Sequence, residues 1–345
     1  MSAAGRNIAF LKRLKQQRIY TFSLMFTVGL GLALAVFGCS PTTSNTGTTQ
    51  TTQTTSSTVV RIGYQKASTI LYALKARGDL EKAFAASGAS VTWSEFPAGP
   101  PMLEALNAGS IDFGYTGESP PIFAQAGGIP LVYVAYDPWS PKAEAILVPK
   151  DSPIKSVAEL KGKRVAFAKG SNANYLLVRA LEKAGLKYSD IQPKTLPPAD
   201  ARAAFESKNV EAWAIWDPYL AAAEAATGAR TLTDGTGLAP NRGYYLAAKS
   251  FVDTKPDALK TVVDEVKKVS DWAKSNPSDV AKLLSPALGI DASVLEIAEK
   301  RREYDVLPLT DEVISKQQEV ADTFYKIKLI PKEIKVKEIV LQGKK

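Results

Sequence analysis

The sequence predicts an α/β protein built from two related lobes. From residue 59 onward, short alternating or apolar runs typical of strands alternate with amphipathic stretches typical of helices. Two pairs of segments also resemble each other: RIGYQKAS at 61–68 aligns with RVAFAKGS at 164–171, and residues 105–120 align with 204–219. The two offsets, 103 and 99 residues, are nearly equal. This internal similarity indicates that the second lobe repeats the plan of the first.

The strand and helix signals follow one another along the chain in a regular order. The clearest helix after a strand is SNANYLLVRALEK, which Ser171 or Asn172 can cap and which is expected to end at Gly185. Two proline-rich entries to helices, at 96–109 and 196–209, are explained by proline at the first helical turn. Strands are predicted from runs beginning at Val59, Val91, Ile111, Leu131, Ala145, Arg164 and Ala212.

The first 58 residues are interpreted as an export signal and a tether. A basic start leads into an apolar run, Ile19 to Gly38, directly before Cys39, the one cysteine of the chain. Residues 1–38 are therefore predicted to be a lipoprotein signal peptide, with lipidation at Cys39. The alternative is an uncleaved membrane helix, since about 20 apolar residues span a bilayer. Residues 39–58, rich in Thr and Ser, are predicted to be a flexible tether.

Composition excludes several classes of function. The chain of 345 residues contains no histidine and a single cysteine, so histidine-dependent triads, His metal sites and thiolate metal clusters are not available to it. The net charge of +8 falls to +3 from Cys39 onward, because five basic residues and no acid precede it. So weak an excess argues against nucleic-acid binding. We expect no cofactor, no metal and no catalytic residue.

The repeat places two acids at equivalent turns. Glu118 follows one predicted strand and aligns with Asp217, which follows another. Ligands of open α/β sheets bind beyond the carboxyl ends of the strands. If the lobes face each other, both turns therefore line one cleft.

The two aligned halves differ in how well they can hold an anion. The first N–H groups of a helix attract anions, but the start at TGESPP has two prolines, Pro120 and Pro121, that carry no N–H. The start after Gly170 has no proline in its first turn, and Gly170 lets a ligand approach the backbone closely, so Gly170, Ser171, Asn172 and Asn174 are candidate anion contacts. An ordinary capped helix would show the same pattern. The candidate contacts in the first half are Gln65, Thr116, Gly117, Glu118 and Ser119.

Aromatic residues form a second candidate wall. Trp216 and Tyr219 flank Asp217 in the stretch WAIWDPY. They are predicted to present an apolar surface to the ligand, although aromatic residues at such positions also occur in cores.

Long stretches of the chain resemble the aliphatic sulfonate-binding proteins of ABC importers. The similarity covers about residues 59 to 335 and is carried by stretches such as IDFGYTGESPPIFAQAGGIPLVYVA, ELKGKRVAFAKGSNANYLLVRALEKAGLKYSDIQP and PADARAAFESKNVEAWAIWDPY. The resemblance implies a type II periplasmic-binding-protein fold with two crossover segments near Lys142–Leu147 and Arg242–Leu246. It places residues 59–145 and 245–345, with the C-terminal helices, in lobe 1 and residues 146–244 in lobe 2.

The resemblance also implies a function and partners. The protein would be a monomer that captures alkanesulfonates outside the cytoplasm, in the periplasm or at the cell surface. It would be anchored in the membrane through lipidated Cys39 and deliver its ligand to an ABC permease with its ATPase subunit for sulfur uptake. The same fold with taurine, nitrate or another small anion is the alternative. A ligand sensor that docks on a receptor is a third possibility. An enzyme like the pyrimidine synthases of this fold is disfavoured, because those enzymes use a histidine and this chain has none.

The sequence differs from the usual sequence of this family at the first-lobe turn. The family has Thr-Gly-Asp and an aliphatic residue where this chain has Thr116-Gly117-Glu118-Ser119. We expect ligand choice to be tuned there. Because a sulfonate is always ionised, neutral donors are expected to hold it, while Glu118 and Asp217 accept N–H bonds in their own turns, pair with Lys66 or Lys169, or face a polar end of the ligand.

Overall fold

The described part of the protein, residues 58–341 of a computed structural model, contains two five-stranded sheets with helices packed on both. Within this range no helix has the length and apolar character that a bilayer crossing requires. The strands are β1 Val59–Gln65, β2 Ser90–Phe96, β3 Phe113–Gly117, β4 Leu131–Tyr136, β5 Glu144–Val148, β6 Arg164–Phe167, β7 Gln192–Thr195, β8 Ala212–Trp216, β9 Arg230–Asp234 and β10 Gly243–Ala248.

Twelve α-helices connect and flank these strands in the same range. They are α1 Thr69–Arg77, α2 Asp79–Ala85, α3 Gly99–Asn107, α4 Ser119–Ala126, α5 Asn172–Lys183, α6 Pro198–Glu206, α7 Tyr219–Thr227, α8 Lys249–Thr254, α9 Pro256–Ser275, α10 Pro277–Leu288, α11 Ala292–Lys300 and α12 Asp311–Lys326. The α/β fold class is confirmed, and the seven predicted strands are β1 to β6 and β8. The prediction missed β7, whose residues are all exposed and so lack an apolar pattern, together with β9 and β10.

The two sheets share one strand plan. Their orders are β2-β1-β3-β10-β4 and β7-β6-β8-β5-β9, so the aligned strands β1 and β6 both stand second and β3 and β8 both stand third. In each sheet the fourth strand is antiparallel to its neighbours. The internal similarity of the sequence therefore corresponds to equivalent places in two sheets.

The chain passes between the sheets twice, somewhat earlier than the sequence suggested. The first passage is residues 137–143, between β4 and β5, and the second is residues 235–242, between β9 and β10. The crossover segments were expected at Lys142–Leu147 and Arg242–Leu246. Most residues of these two segments lie instead in β5 and β10. The reason is that these apolar residues are buried as strands within the sheets, while the irregular segments before them make the passage.

Apolar side chains of both sheets form the core. The largest fully buried side chains include Phe113, Tyr133, Phe167 and Trp213, from strands of both sheets. The lobes are also packed against each other through aromatic edges: Phe324 of α12 contacts both Phe123 of α4 and Tyr175 of α5, with ring centroids 4.9 and 5.7 Å away. This packing holds the starts of α4 and α5 side by side.

Candidate functional site: the cleft between the two sheets

A cleft lies where the ends of β1, β3 and β8 meet the two passages between the sheets. Its walls include five of the predicted ligand residues: Gln65, Gly117, Ser171, Asn172 and Trp216. The enclosed space is about 70 Å³. Since one water needs roughly 10–15 Å³ on this scale, the cleft has room for several waters or for a small charged head group.

The start of α5 forms one end of the cleft. Ser171 is the N-cap, as predicted, and its Oγ accepts the N–H of Asn174 at 3.3 Å. The N–H of Gly170 is bonded to Asn174 Oδ1 at 3.1 Å. Two donors of this turn are therefore satisfied by its own side chains, whereas the N–H groups of Asn172 and Ala173 have no such partner within residues 58–341. The turn retains donors for an anion, but fewer than the sequence suggested.

Asn172 connects the two lobes. Its Oδ1 accepts the N–H of Ser119, the first residue of α4, at 3.2 Å. Its Nδ2 donates to Asn241 Oδ1 in the second passage at 2.9 Å. The side chain also lies directly against Gly117, where a Cβ would overlap it. Asn172 therefore lines the cleft and at the same time contacts the first lobe.

Glu118 is buried next to this contact. One of its carboxylate oxygens accepts the backbone N–H of Arg242 at 2.9 Å, and its carbonyl oxygen accepts a bond from Gln317. Burial raises the pKa of Glu118 to about 7, against the lowering effect of the Arg242 bond. Glu118 does not belong to the cleft wall, so its side chain is unsuited to direct ligand contact.

Asp217 is also buried and bound within the protein. Its Oδ1 accepts the N–H of Ala221 at 3.0 Å, in its own turn as expected, and its Oδ2 lies 3.5 Å from the guanidinium of Arg301. Burial raises the pKa of Asp217 to about 6, although the charges of Arg301 and Arg302 oppose this. The expected pairing of these acids with Lys66 or Lys169 is wrong: both lysines are exposed, and Lys66 lies near Glu95 at 3.8 Å.

The other predicted ligand residues support the cleft from behind or beside it. Thr116 and Ser119 are fully buried, and the hydroxyl of Thr116 donates to the carbonyl of Gly117. Gly170 has a left-handed backbone with φ of +71° and packs beside Phe123. Tyr219 packs edge-on against Trp216, with ring centroids 6.4 Å apart. Of the two aromatic residues, only Trp216 belongs to the cleft wall.

Four charged residues of the cleft wall were missed. Asp137 follows β4, Arg242 precedes β10, and Arg302 and Glu303 follow α11. Asp137 accepts the hydroxyl of Tyr115 and the N–H of Gly243, and burial raises its pKa to about 6 against these bonds. No local pattern marks these residues, because each stands at the end of an element and reaches the cleft only through the fold.

The two arginines bring positively charged donors to the cleft wall, which also holds the acids Asp137 and Glu303. Arg302 donates from Nη2 to the carbonyl of Asp217 at 2.6 Å, and the guanidinium of Arg242 lies about 5 Å from the ring centres of Tyr136 and Trp139. The Nε atoms of both arginines are buried without a partner in the described part of the chain. Burial alone would lower the pKa of Arg302, but the electrostatic effect of neighbouring acidic side chains, among them Tyr304, Glu299 and Asp217, outweighs it and the pKa is raised. These N–H groups are enclosed, so it is the position of the two arginines in the cleft wall that favours an anionic ligand.

Comparison with known proteins identifies the family. Residues 83–280 match the NMT1/THI5-like family model. The chain belongs to the NMT1/THI5-like family. Over 284 residues it is 47% identical to the putative aliphatic sulfonates-binding protein of Escherichia coli strain K12, covering 82% of this chain and 88% of that protein.

Solved structures agree with this assignment. The alkanesulfonate-binding protein SsuA from Xanthomonas axonopodis pv. citri, bound to MOPS, aligns with a TM-score of 0.79 and 43% identity, over 83% of this chain and 98% of that one. The periplasmic aliphatic sulphonate binding protein SsuA from Escherichia coli aligns with a TM-score of 0.75 and 46% identity, over 83% and 94%. The expected resemblance and the periplasmic-binding-protein fold are thereby confirmed.

These family members are binding proteins and not enzymes. This confirms, through the homologues, the expectation that the chain is not an enzyme. The candidate lipidation site, Cys39, and the predicted signal and tether lie outside the described residues.

Proposed function

We propose that this protein captures aliphatic sulfonates in the cleft between its lobes and delivers them to an ABC permease and its ATPase for sulfur uptake. The carrying observation is that Arg242 and Arg302 line the same cleft as Ser171 and Asn172 at the start of α5. A sulfonate is ionised at every physiological pH and presents three acceptor oxygens. Its negative charge therefore satisfies both guanidinium groups and the first N–H groups of α5.

The charged donors revise the expectation that neutral groups alone would hold the anion. Ser171 and Asn172 remain in the wall, but Arg242 and Arg302 add charged donors to it, beside the carboxyl groups of Asp137 and Glu303. Trp216 supplies an apolar surface for the organic part of the ligand. Glu118 and Ser119, behind the wall, would tune the ligand through the position of α4 and not by contact.

A ligand with an amino end, such as taurine, is the second candidate. Asp137 provides a carboxylate in the same wall, partly exposed toward the cleft. An ammonium group there would form a charge-assisted hydrogen bond. Binding measurements on both ligand classes separate the two.

The test is a calorimetric titration of the purified protein with alkanesulfonates, taurine, sulfate and nitrate, in buffers free of sulfonate. We expect alkanesulfonates to bind and to raise the melting temperature, because a ligand specific for the folded state stabilises it. Binding of nitrate or sulfate with no response to any sulfonate would overturn the proposal. Arg302→Gln should weaken every anion that binds, whereas Arg202→Gln, on an exposed face of α6, should not.

We further propose that the protein works as a lipid-anchored monomer outside the cytoplasm. The support for the anchor and for the location outside the cytoplasm is the sequence before residue 59: a basic start, an apolar run, Cys39 and an uncharged tether. Mass spectrometry of the N-terminal peptide should find a modified Cys39, and Cys39→Ser should release the protein from membranes. An unmodified Cys39 within a chain that keeps residues 1–38 would favour the uncleaved helix instead.

A further inference from the structure

The guanidinium of Arg242 is held by aromatic rings and not by a carboxylate. Arg242 is 5% exposed and lies in the cleft wall. Its guanidinium lies 5.0 Å from the ring centre of Tyr136 and 5.1 Å from that of Trp139. Arg61 and Arg301, by contrast, each form an ion pair with a carboxylate. Within residues 58–341 no carboxylate oxygen lies at ion-pair distance from the guanidinium of Arg242, so its charge is free to act on a ligand.

The position of Trp139 is not explained by packing in the core. Its side chain is 46% exposed, and it belongs to neither hydrophobic cluster of the described residues, whereas Tyr136 packs against the larger one. Trp139 is also not among the residues that line the cleft, so it does not contact a ligand there. The contact with Arg242 is therefore the interaction through which this ring bears on the cleft.

Trp139 and Arg242 stand on the two passages between the sheets, and these passages are bonded to each other. The backbone N–H of Ser140 donates to the carbonyl of Pro240 at 3.2 Å. The Nδ2 of Asn241 donates to the carbonyl of Ser140 at 2.9 Å. Each bond joins a neighbour of Trp139 to a residue next to Arg242 or close to it. The indole ring is thus fixed beside the arginine by the backbone of both passages.

We propose that Trp139 is a positioning residue for the anionic group of the ligand, because its ring, with that of Tyr136, holds the guanidinium of Arg242 in place within the cleft wall. A guanidinium is attracted to the face of an aromatic ring, and the N–H groups at its edge stay available for an anion. An arginine that is free to rotate loses that freedom when it binds. Contact with the rings reduces this loss, so Trp139 raises the affinity for an anion that it does not touch. The inference rests on the proposed function.

The test is calorimetric titration of the full chain with ethanesulfonate, in a buffer free of other sulfonates. Trp139→Ala should raise the dissociation constant roughly 2- to 10-fold, because one long side chain must then be ordered on binding. Trp139→Phe, which keeps an aromatic face, should bind nearly as the wild type does. Trp139→Leu keeps an apolar side chain without that face and should lose as much affinity as Trp139→Ala. Wild-type affinity in Trp139→Ala or in Trp139→Leu would overturn the proposal.

A double-mutant cycle tests whether Trp139 acts through Arg242. In an Arg242→Gln background the cation is absent, so Trp139→Ala should cause no further loss of affinity. An equal loss with and without the arginine would overturn the positioning role. If Arg242→Gln binds too weakly for the cycle to be measured, the comparison of Trp139→Phe with Trp139→Leu decides the matter.

The chain offers a matched control in Trp272. Its ring centre lies 4.7 Å from the guanidinium of Arg77, and neither residue lines the cleft. Trp272→Ala therefore removes the same kind of contact elsewhere in the protein. We expect it to lower the melting temperature, because Trp272 packs against the core, and to leave the affinity for ethanesulfonate unchanged. A loss of affinity equal to that of Trp139→Ala would mean that general destabilisation causes both, and would overturn the proposal.

Failure of the proposed function and failure of this inference give different results. If the wild type binds sulfate or nitrate but no alkanesulfonate, the proposed function fails, and the same variants are titrated with the anion that binds. If alkanesulfonates bind equally well to the wild type and to Trp139→Ala, the proposed function stands and the positioning role fails. If no anion binds, both fail.

Discussion

Replacing Gly117 with alanine should weaken ligand binding without unfolding either lobe. Gly117 is the last residue of β3 and its backbone is not in the left-handed region, so alanine is compatible with the strand itself. A Cβ there, however, would overlap the side-chain amide of Asn172 on the other lobe. The amide must move away for the lobes to meet as they do in this structure.

The magnitude follows from what Asn172 would lose. Its amide makes two hydrogen bonds, with Ser119 N–H at 3.2 Å and with Asn241 Oδ1 at 2.9 Å. At about 0.5–1.5 kcal/mol each, their loss costs about 1–3 kcal/mol. Since about 1.4 kcal/mol corresponds to a factor of ten, the dissociation constant should rise roughly 5- to 150-fold.

Calorimetry and thermal melting of a double-mutant cycle test this reasoning. Gly117→Ala should be nearly silent in an Asn172→Ala background, because the overlapping side chain is then absent. Gly127→Ala, at the other end of α4, is the control and should bind as the wild type does. An unchanged affinity in Gly117→Ala, or an equal loss with and without Asn172, would refute the proposed steric contact.

Three further predictions address the two lobes and their acids. Asn172→Pro should weaken sulfonate binding more than Ser119→Ala does. Proline fits the first helical position but removes an N–H group and the bridging amide of Asn172. The reverse order in calorimetry would indicate that the anion binds to the first lobe. Asp217→Asn should remove a loss of stability that the wild type shows between about pH 4 and 6. Burial raises the pKa of Asp217 to about 6, so its contribution is present below the unfolded pKa and is lost as the pH rises through 6; melting temperatures with the same pH dependence in both proteins would argue against this. Arg301→Gln should lower the melting temperature more than Arg202→Gln does. The first substitution breaks the 2.6 Å ion pair of Arg301 with Glu224 and its contact with Asp217. Equal melting temperatures of the two variants would contradict this.

The repeat made part of the site predictable from sequence. Two similar segments predicted that Glu118 and Asp217 follow equivalent strands, and both indeed follow the third strand of a five-stranded sheet. The cap at Ser171 was predictable too, because its signals lie within a few residues of each other. Such local signals depend on helix and strand geometry and need no knowledge of the tertiary fold.

The charged part of the site was not predictable in the same way. Arg302 follows α11 but donates to the carbonyl of Asp217, 85 residues earlier in the chain. Contacts of this range arise from sheet order and from the passages between the lobes, neither of which a periodic pattern encodes.

The start of α4 explains why the two lobes contribute different groups to the cleft. Pro120 and Pro121 carry no N–H, and the N–H of Ser119 is already bonded to Asn172. The first lobe therefore has no helical donors to offer from this turn, whereas α5 and the arginines can bind an anion. Glu118, which would repel an anion in the cleft, instead lies behind the wall against the second passage. This turn therefore contacts the second lobe through Ser119 and the second passage through Glu118, and it offers no helical donor to an anion.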